Sequence, residues 1–316
     1  MAERRFRFAP SPSRLLHVGN GLAALIGWAA ARVHGGTFVL RIEDIDSTRC
    51  KPEFEAACLE DLRWLGLTWH EGPDVGGAYG PYRQSERLDR YDTLLEGLSG
   101  SNAYLCRCSR AEVRAAQRAP HLDQSRELPY PGTCRQAEHE PSAERLERGG
   151  FRLSVEAMGT AAMCHWTDNW MGPQSEDVRE TCGDFLLGRP GAPTYQLAVV
   201  ADDAAMAITD VVRGRDLLGS TARQRLLYRQ LGAEAPQFAH HPLLLDAHGA
   251  KLSKRDSALT LRELRERGHT PDELISRLAY SIGLSPSQAA PTSAEEFADL
   301  MTDAPCWRDG AWSGLP

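Results

Sequence analysis

Arg7-Phe8-Ala9-Pro10-Ser11-Pro12-Ser13-Arg14-Leu15-Leu16-His17-Val18-Gly19-Asn20 is the stretch that decides the fold. A short apolar strand stops at Pro10 and Pro12, which exclude helix and break any strand ladder. The chain then re-enters order as a helix, because Leu22, Ala23, Leu25, Ile26, Ala29 and Ala30 recur at helical spacing. Strand, turn and helix in this order form one unit of an α/β protein. The positive end of that helix is expected to face the turn, which suits phosphate. Gly19 lets backbone approach a ligand, His17 offers a neutral donor to a triphosphate, and Arg7 is a bidentate clamp for a carboxylate.

With 316 residues, 42% of them hydrophobic and 25% charged, the chain can bury a substantial core. Its net charge of −7 argues against a nonspecific nucleic-acid coat while allowing a local basic face. The first residues are basic with no apolar run behind them, which is not a signal peptide, and no run reaches membrane-spanning length. A cytoplasmic protein is therefore expected. A monomer is the separate expectation for its assembly, which no sequence feature decides. Eight cysteines are too few for a disulfide scaffold of this size.

Downstream, Thr37 to Ile42 reads as a strand ending in Glu43-Asp44-Ile45-Asp46, and open α/β sheets bind ligands at such strand ends. Residues 53–66 read as an amphipathic helix closed by Gly66. Gly72 to Gly80 is glycine-rich but lacks phosphate-loop spacing, so it reads as a connecting loop. Ser85 is expected to cap a helix carrying Leu88, Tyr91, Leu94, Leu95 and Leu98. Pro193 to Asp203 resumes the fold with an apolar segment ending in two aspartates, and Ile208 to Gly214 is the next strand and turn. Leu261 to Leu264 and Leu274 to Ile282 are helical, and the remaining tail, rich in Pro, Ala and Ser, gives no reading.

Tyr104-Leu105-Cys106-Arg107-Cys108 is a strand whose two thiols share a side. Converging thiolates need a cation, and Tyr130-Pro131-Gly132-Thr133-Cys134 adds a third sulfur and a phenol. A tetrahedral zinc would then lack one ligand from cysteine. Cys164, His165 and Cys182 fit no metal spacing and read as core packing. Residues 109–150 are polar and helix-prone.

His17-Val18-Gly19-Asn20 resembles the His-x-Gly-His signature of class I aminoacyl-tRNA synthetases, with Asn20 in place of the second His. Lys251-Leu252-Ser253-Lys254-Arg255 resembles the Lys-Met-Ser-Lys-Ser loop of the same class. The Arg7–Asn20 run, Arg41 to Asp44 and Pro81 to Arg87 are similar to the glutamyl branch. The three-cysteine cluster narrows the resemblance to the glutamyl-queuosine tRNA(Asp) synthetase family, over residues 4 to 285. The expected absence of an anticodon-reading domain points the same way.

The resemblance implies a Rossmann-like class I synthetase fold with a zinc-bearing insertion and a short helical C-terminal part. It divides the chain into a first half of the nucleotide-binding fold (1–105), an insertion (106–190), a second half (191–250) and a loop with a helical end (251–316). It implies that Arg7, Ala9, Ser11, Glu43, Tyr195 and Arg213 bind glutamate, with Glu43 on the ammonium and Arg213 on the γ-carboxylate. His17, Gly19, Asn20, Lys251, Ser253 and Lys254 would bind ATP with Mg²⁺, and His17 and Lys254 would serve the reaction. Structural zinc would sit on Cys106, Cys108, Cys134 and Tyr130, with His139 as the rival fourth ligand. The partner is tRNA(Asp) carrying queuosine. A short glutamyl-tRNA synthetase charging the ordinary 3′ end, and a non-catalytic paralogue that binds tRNA or nucleotide, are the competing readings.

Overall fold

A computed structural model describes residues 3–99, 101–109, 111–113, 129–135, 149–246, 252, 259–290, 293–301 and 309–312. Strand β1 (Arg5–Phe8), helix α1 (Val18–Val33) and strand β2 (Thr37–Leu40) form a parallel β-α-β unit, with Arg7 paired to Val39. Helix α2 (Pro52–Trp64) follows, then helix α3 (Leu88–Ser99). Strands β3 (Ala103–Cys106) and β4 (Gly150–Leu153) precede a hairpin of β5 (Met163–Asp168) and β6 (Gly172–Asp177). The short helix α4 (Val178–Thr181) leads to β7 (Phe185–Arg189) and β8 (Ala192–Pro193). Helix α5 (Tyr195–Ala205), β9 (Asp210–Gly214), helix α6 (Thr221–Gln230) and β10 (Gln237–His241) complete the central layer. Last come β11 (Leu244–Leu245), helices α7 (Leu261–Glu266), α8 (Pro271–Ser281) and α9 (Ala294–Leu300), and β12 (Gly310–Ala311).

The main sheet has the order β2-β1-β9-β10-β5-β6, parallel from β2 to β5. From β1 the chain steps to β2 on one side and later to β9 on the other. The order therefore reverses between β1 and β9, the switch point where such sheets open a crevice beyond their strand ends. One face packs α1, α2 and the C-terminal helices around Leu22, Leu25, Ile26, Leu62, Leu278 and Phe297. The other packs α3, α5 and α6 around Tyr91, Leu95, Leu197, Leu226 and Tyr228. Burial on two faces explains why α1 is apolar nearly all round.

A second sheet has the order β3-β4-β7-β8 and is antiparallel. It begins at Ala103, just before the expected start of the insertion, and ends at Pro193, just after its expected end. The β5–β6 hairpin does not stay with this small sheet. Its Asp168 pairs with Phe238 of β10 and joins the main sheet. The hairpin thus ties the stretch between the strands of the small sheet to the main sheet.

Two local expectations change. Ser85 does not cap α3: it lies in a 3-10 turn (Gln84–Arg87), and its amide and hydroxyl donate to Asp44 at 2.8 and 2.6 Å. The tail has a definite structural part, since Ala294, Phe297, Ala298 and Met301 are buried against the α1 face and β12 pairs with β11. The Gly72–Gly80 loop connects, as read. Gly77 sits at φ +145°, and a Cβ there would lie 2.3 Å from the Tyr82 hydroxyl, which donates to Glu71 at 2.5 Å. Glu71 in turn takes two hydrogen bonds from Arg5, so Gly77 fits beside a part-buried ion pair. Among the described residues no helix is long and apolar enough to cross a membrane.

Candidate active site and metal centre

A cavity of about 570 Å³ opens at the β1/β9 switch point. Its lining includes Arg7, Ala9, Ser11, His17, Gly19, Asn20, Glu43, Tyr195 and Arg213. Residues from four separate stretches of the chain therefore line one cavity. Lys251, Ser253 and Lys254 lie outside the described residues; their neighbour Leu252 lines the cavity.

At the start of α1, His17 is the residue that caps the helix. Its Nδ1 accepts the backbone N–H groups of Gly19 and Asn20 at 3.0 and 3.3 Å, while the Asn20 side chain accepts the His17 amide at 3.1 Å. This capping box uses amides that a phosphate was expected to meet, and Val18 N–H goes to Leu259 O at 3.4 Å. The helix end keeps its positive dipole, but its first donors are spoken for. Because Nδ1 accepts, the imidazole proton of the neutral ring sits on Nε2, so His17 is a donor at that atom. Gly19 is needed for the ring: a Cβ there would meet His17 Cε1 at 2.9 Å.

The charges at the cavity floor are held by a buried network. Arg7 Nε donates to both Asp203 carboxylate oxygens at 3.2 and 3.3 Å. Arg41, fully buried, donates to Asp203 at 2.6 Å and to Glu43 at 3.1 Å. Burial would raise the Asp203 pKa, yet Arg7 and Arg41 hold it below the usual carboxylate range. Burial pushes Glu43 up against the pull of Arg41 and Arg7, so an approaching ammonium would be welcomed there. Burial and the Glu43 charge also push the Tyr195 phenol up, keeping it a neutral donor. Behind them, Asp202 accepts from Arg87, Gln84 and Tyr91 at 2.6, 2.9 and 2.8 Å.

Arg213 is built differently. It is 5% exposed, and its Nε donates to His240 Nε2 at 3.0 Å, with its terminal nitrogens donating to Gln224 Oε1 and Thr221 Oγ1 at 2.7 and 2.8 Å. All three partners are uncharged acceptors; among the described residues no carboxylate touches it. Burial and the nearby Arg7 charge pull its pKa down. A guanidinium held out of water without a counter-ion is costly, and an incoming carboxylate would relieve that cost.

Sequence reasoning missed Asp203, Asp202, Asp168 and His240. The clue was present: two adjacent aspartates inside Leu197-Ala198-Val199-Val200-Ala201-Asp202-Asp203 need buried partners, as does the His pair in Phe238-Ala239-His240-His241.

The second cluster lies in the small sheet. The sulfurs of Cys106, Cys108 and Cys134 all lie within 4.8 Å of one another, and Cys108 and Cys134 are 3.6 Å apart. The Tyr130 hydroxyl is 3.4 Å from the sulfurs of both Cys106 and Cys108. Zinc bonds of ~2.3 Å to sulfur and ~2.0 Å to oxygen on a tetrahedron give edges of ~3.8 Å between sulfurs and ~3.5 Å from sulfur to oxygen. The observed spacings fit that donor set. The Cys134 amide donates to the Tyr130 oxygen at 3.1 Å, and the Arg152 guanidinium lies 4.0 Å from the Tyr130 ring centroid. Burial and the hydrogen bonds with Cys106 and Cys108 push the Tyr130 phenol up, against the pull of the Cys134 amide. His139 lies outside the described residues. Cys164 is buried in the core as read, whereas His165 on the same strand is exposed.

The family model "tRNA synthetases class I (E and Q), catalytic domain" matches residues 3–301. A relative named glutamyl-Q tRNA(Asp) synthetase from Symbiobacterium thermophilum is 47% identical over 297 residues, covering 93% of this chain and 91% of its own. Another of that name, from Nitratidesulfovibrio vulgaris, is 43% identical over 302 residues, covering 95% and 92%. A glutamate–tRNA ligase from an Anaeromyxobacter species is 42% identical over 287 residues, covering 90% of this chain but 59% of that one. A crystal structure of a glutamate tRNA ligase from Elizabethkingia meningosepticum in complex with its amino acid superposes with a TM-score of 0.79 at 31% identity, covering 99% of this chain and 67% of the other.

Proposed function

The chain belongs to the class I tRNA synthetases of the glutamate and glutamine branch, and from that premise we propose that it activates glutamate with ATP and Mg²⁺ and transfers it to queuosine in the anticodon loop of tRNA(Asp). The observation that carries the amino-acid choice is Arg213, a buried guanidinium that no carboxylate among the described residues contacts, lining the same pocket as Arg7, Glu43 and Tyr195. Glutamate supplies the missing anion through its γ-carboxylate. Glutamine has the same shape and no charge.

In this reading Arg7 meets a substrate carboxylate, Glu43 meets the ammonium, Tyr195 closes one side, and Ala9 and Ser11 form the wall. The α-carboxylate oxygen attacks the α-phosphorus of ATP, pyrophosphate leaves, and the glutamyl adenylate remains. His17 Nε2–H, with Gly19 and Asn20 at the mouth of α1, supports the triphosphate. Lys251, Ser253 and Lys254 bring charge to it as negative charge moves onto the leaving group. A hydroxyl of the acceptor then attacks the acyl carbon and AMP leaves. Cys106, Cys108, Cys134 and Tyr130 would hold zinc as a structural crosslink, since four protein ligands would leave no substrate position. The enzyme works as a cytoplasmic monomer.

The queuosine assignment is supported by the two relatives of that name, whose lengths this chain spans almost completely. An anticodon arm, like an acceptor stem, is a helix ending in unpaired bases, and shape with phosphate contacts can seat either. The test is glutamylation of tRNA(Asp) from queuosine-making cells beside the same tRNA lacking queuosine. Labelling only of the first is expected. Equal labelling of both, released on removal of the 3′ nucleotide, would mean a glutamyl-tRNA synthetase of the ordinary kind.

A further inference from the structure

Strand register brings a carboxylate, an imidazole and a guanidinium into one line across three neighbouring strands. In the β9–β10 pair, His240 stands opposite Arg213. In the β10–β5 pair, Asp168 stands opposite Phe238, two residues before His240 and on the same side of β10. Asp168 Oδ2 lies 2.5 Å from His240 Nδ1, and Arg213 Nε donates to His240 Nε2 at 3.0 Å. Asp168 and His240 are each 1% exposed. The stacked Phe238 ring braces the imidazole, and the Arg213 guanidinium lies 5.2 Å from the same ring's centroid.

We propose that Asp168 and His240 are positioning residues for glutamate recognition: Asp168 fixes His240 with its proton on Nδ1, so that Nε2 accepts from Arg213 and aims the guanidinium at the γ-carboxylate. This rests on the reading of Arg213 given above. Arg213 Nε can only donate, so Nε2 must be the unprotonated nitrogen. Nδ1 then carries the proton, and only an acceptor such as Asp168 can hold that tautomer. Burial and the Arg213 charge keep His240 neutral despite the carboxylate. The counter-charge to Arg213 is thus kept one imidazole away. It steadies the guanidinium without occupying the edge that faces the cavity, the logic by which a carboxylate orients a metal-bound histidine. Since Asp168 sits on β5, the hairpin of the insertion reaches the glutamate pocket through this line.

Asp168→Asn tests it with little change of shape. Asp168 Oδ1 also accepts the amides of His240, Trp170 and Met171 at 3.1, 3.1 and 3.0 Å, and an asparagine oxygen can keep those bonds. Its NH₂ would, however, donate to Nδ1, move the imidazole proton to Nε2, and set it against Arg213 Nε–H. In glutamate-dependent ATP–pyrophosphate exchange by the full chain, KM for glutamate should rise ~10–100-fold with KM for ATP moved less than ~threefold, and preference for glutamate over glutamine should fall. The double variant Asp168→Asn/His240→Gln should recover much of that loss, because a carboxamide oxygen can accept from Arg213 whichever group faces it from behind.

If Asp168→Asn does not fold, the comparison of His240→Leu with His240→Gln carries the same test: leucine cannot accept and should raise KM several-fold more than glutamine. Arg213→Ala, run alongside, separates the layers. An Arg213→Ala enzyme with normal glutamate KM would overturn the γ-carboxylate reading. A large Arg213→Ala defect beside an unchanged KM in Asp168→Asn, or equal losses for ATP and glutamate with no recovery in the double variant, would overturn this proposal alone.

Discussion

His17→Asn separates two roles that the imidazole combines. Nδ1 caps α1, accepting the Gly19 and Asn20 amides at 3.0 and 3.3 Å, and Nε2 carries the donor proposed to meet the triphosphate. Asparagine is among the best capping residues, and its side-chain oxygen stands as far along the chain as Nδ1, so it can keep the cap. Nothing in it extends to the Nε2 position. The thermal midpoint of His17→Asn should therefore match the parent. His17→Ala loses the cap, worth ~1 kcal/mol, or ~2 °C in a chain of this size. Loss of a donor directed at charge that develops in the transition state costs ~2.7–4 kcal/mol, or roughly 10²–10³ in rate. Both variants should show that deficit in kcat for pyrophosphate exchange at saturating glutamate and ATP. Calorimetry and exchange kinetics on the same preparations decide it: His17→Asn with an intact midpoint and parental kcat would reduce His17 to a helix cap.

Protein purified without chelator should contain one zinc per chain by elemental analysis, and Tyr130→Phe should weaken zinc retention by at least ~10-fold in a chelator competition; unchanged retention would give the fourth place to His139 or water. Lys254→Ala should lower kcat for exchange by ~10²-fold while leaving KM for ATP nearly unchanged, because a loop that engages the transition state shows in rate rather than in binding; a matching loss of nucleotide affinity with normal kcat would make it a plain binding residue. Asp61 on α2 is buried with both oxygens lacking hydrogen-bond partners among the described residues, and burial pushes its pKa up to about 6. The folded value exceeds the unfolded one, so its cost is full above pH 6 and is relieved as the pH falls toward ~4. Asp61→Asn should accordingly raise the thermal midpoint at pH 8 and lose that advantage by pH 4.5; a pH-independent difference would mean that ionisation of Asp61 does not matter.

What the sequence determined by itself was whatever depends on near neighbours and on residue chemistry. The β1–turn–α1 unit is legible because two prolines end a strand and apolar residues then recur at helical spacing. The sulfur set is legible because Cys106 and Cys108 are two residues apart with Cys134 downstream, although β3 itself ends at Cys106 and Cys108 lies just beyond it. Arg7, Glu43, Tyr195 and Arg213 could be named by resemblance, and the fold brings them to one cavity.

Tertiary structure alone decided which partner each buried charge would find. Arg7 and Asp203 are 196 positions apart, Arg41 and Asp203 162, and His240 and Asp168 72. Such pairs are chosen by strand order and register, set by the packing of whole elements, and no local pattern encodes them. The same holds for the tail. Its Pro, Ala and Ser content gives no signal, yet Phe297 and Met301 are buried because α1, apolar on both sides, must be covered on the side away from the sheet.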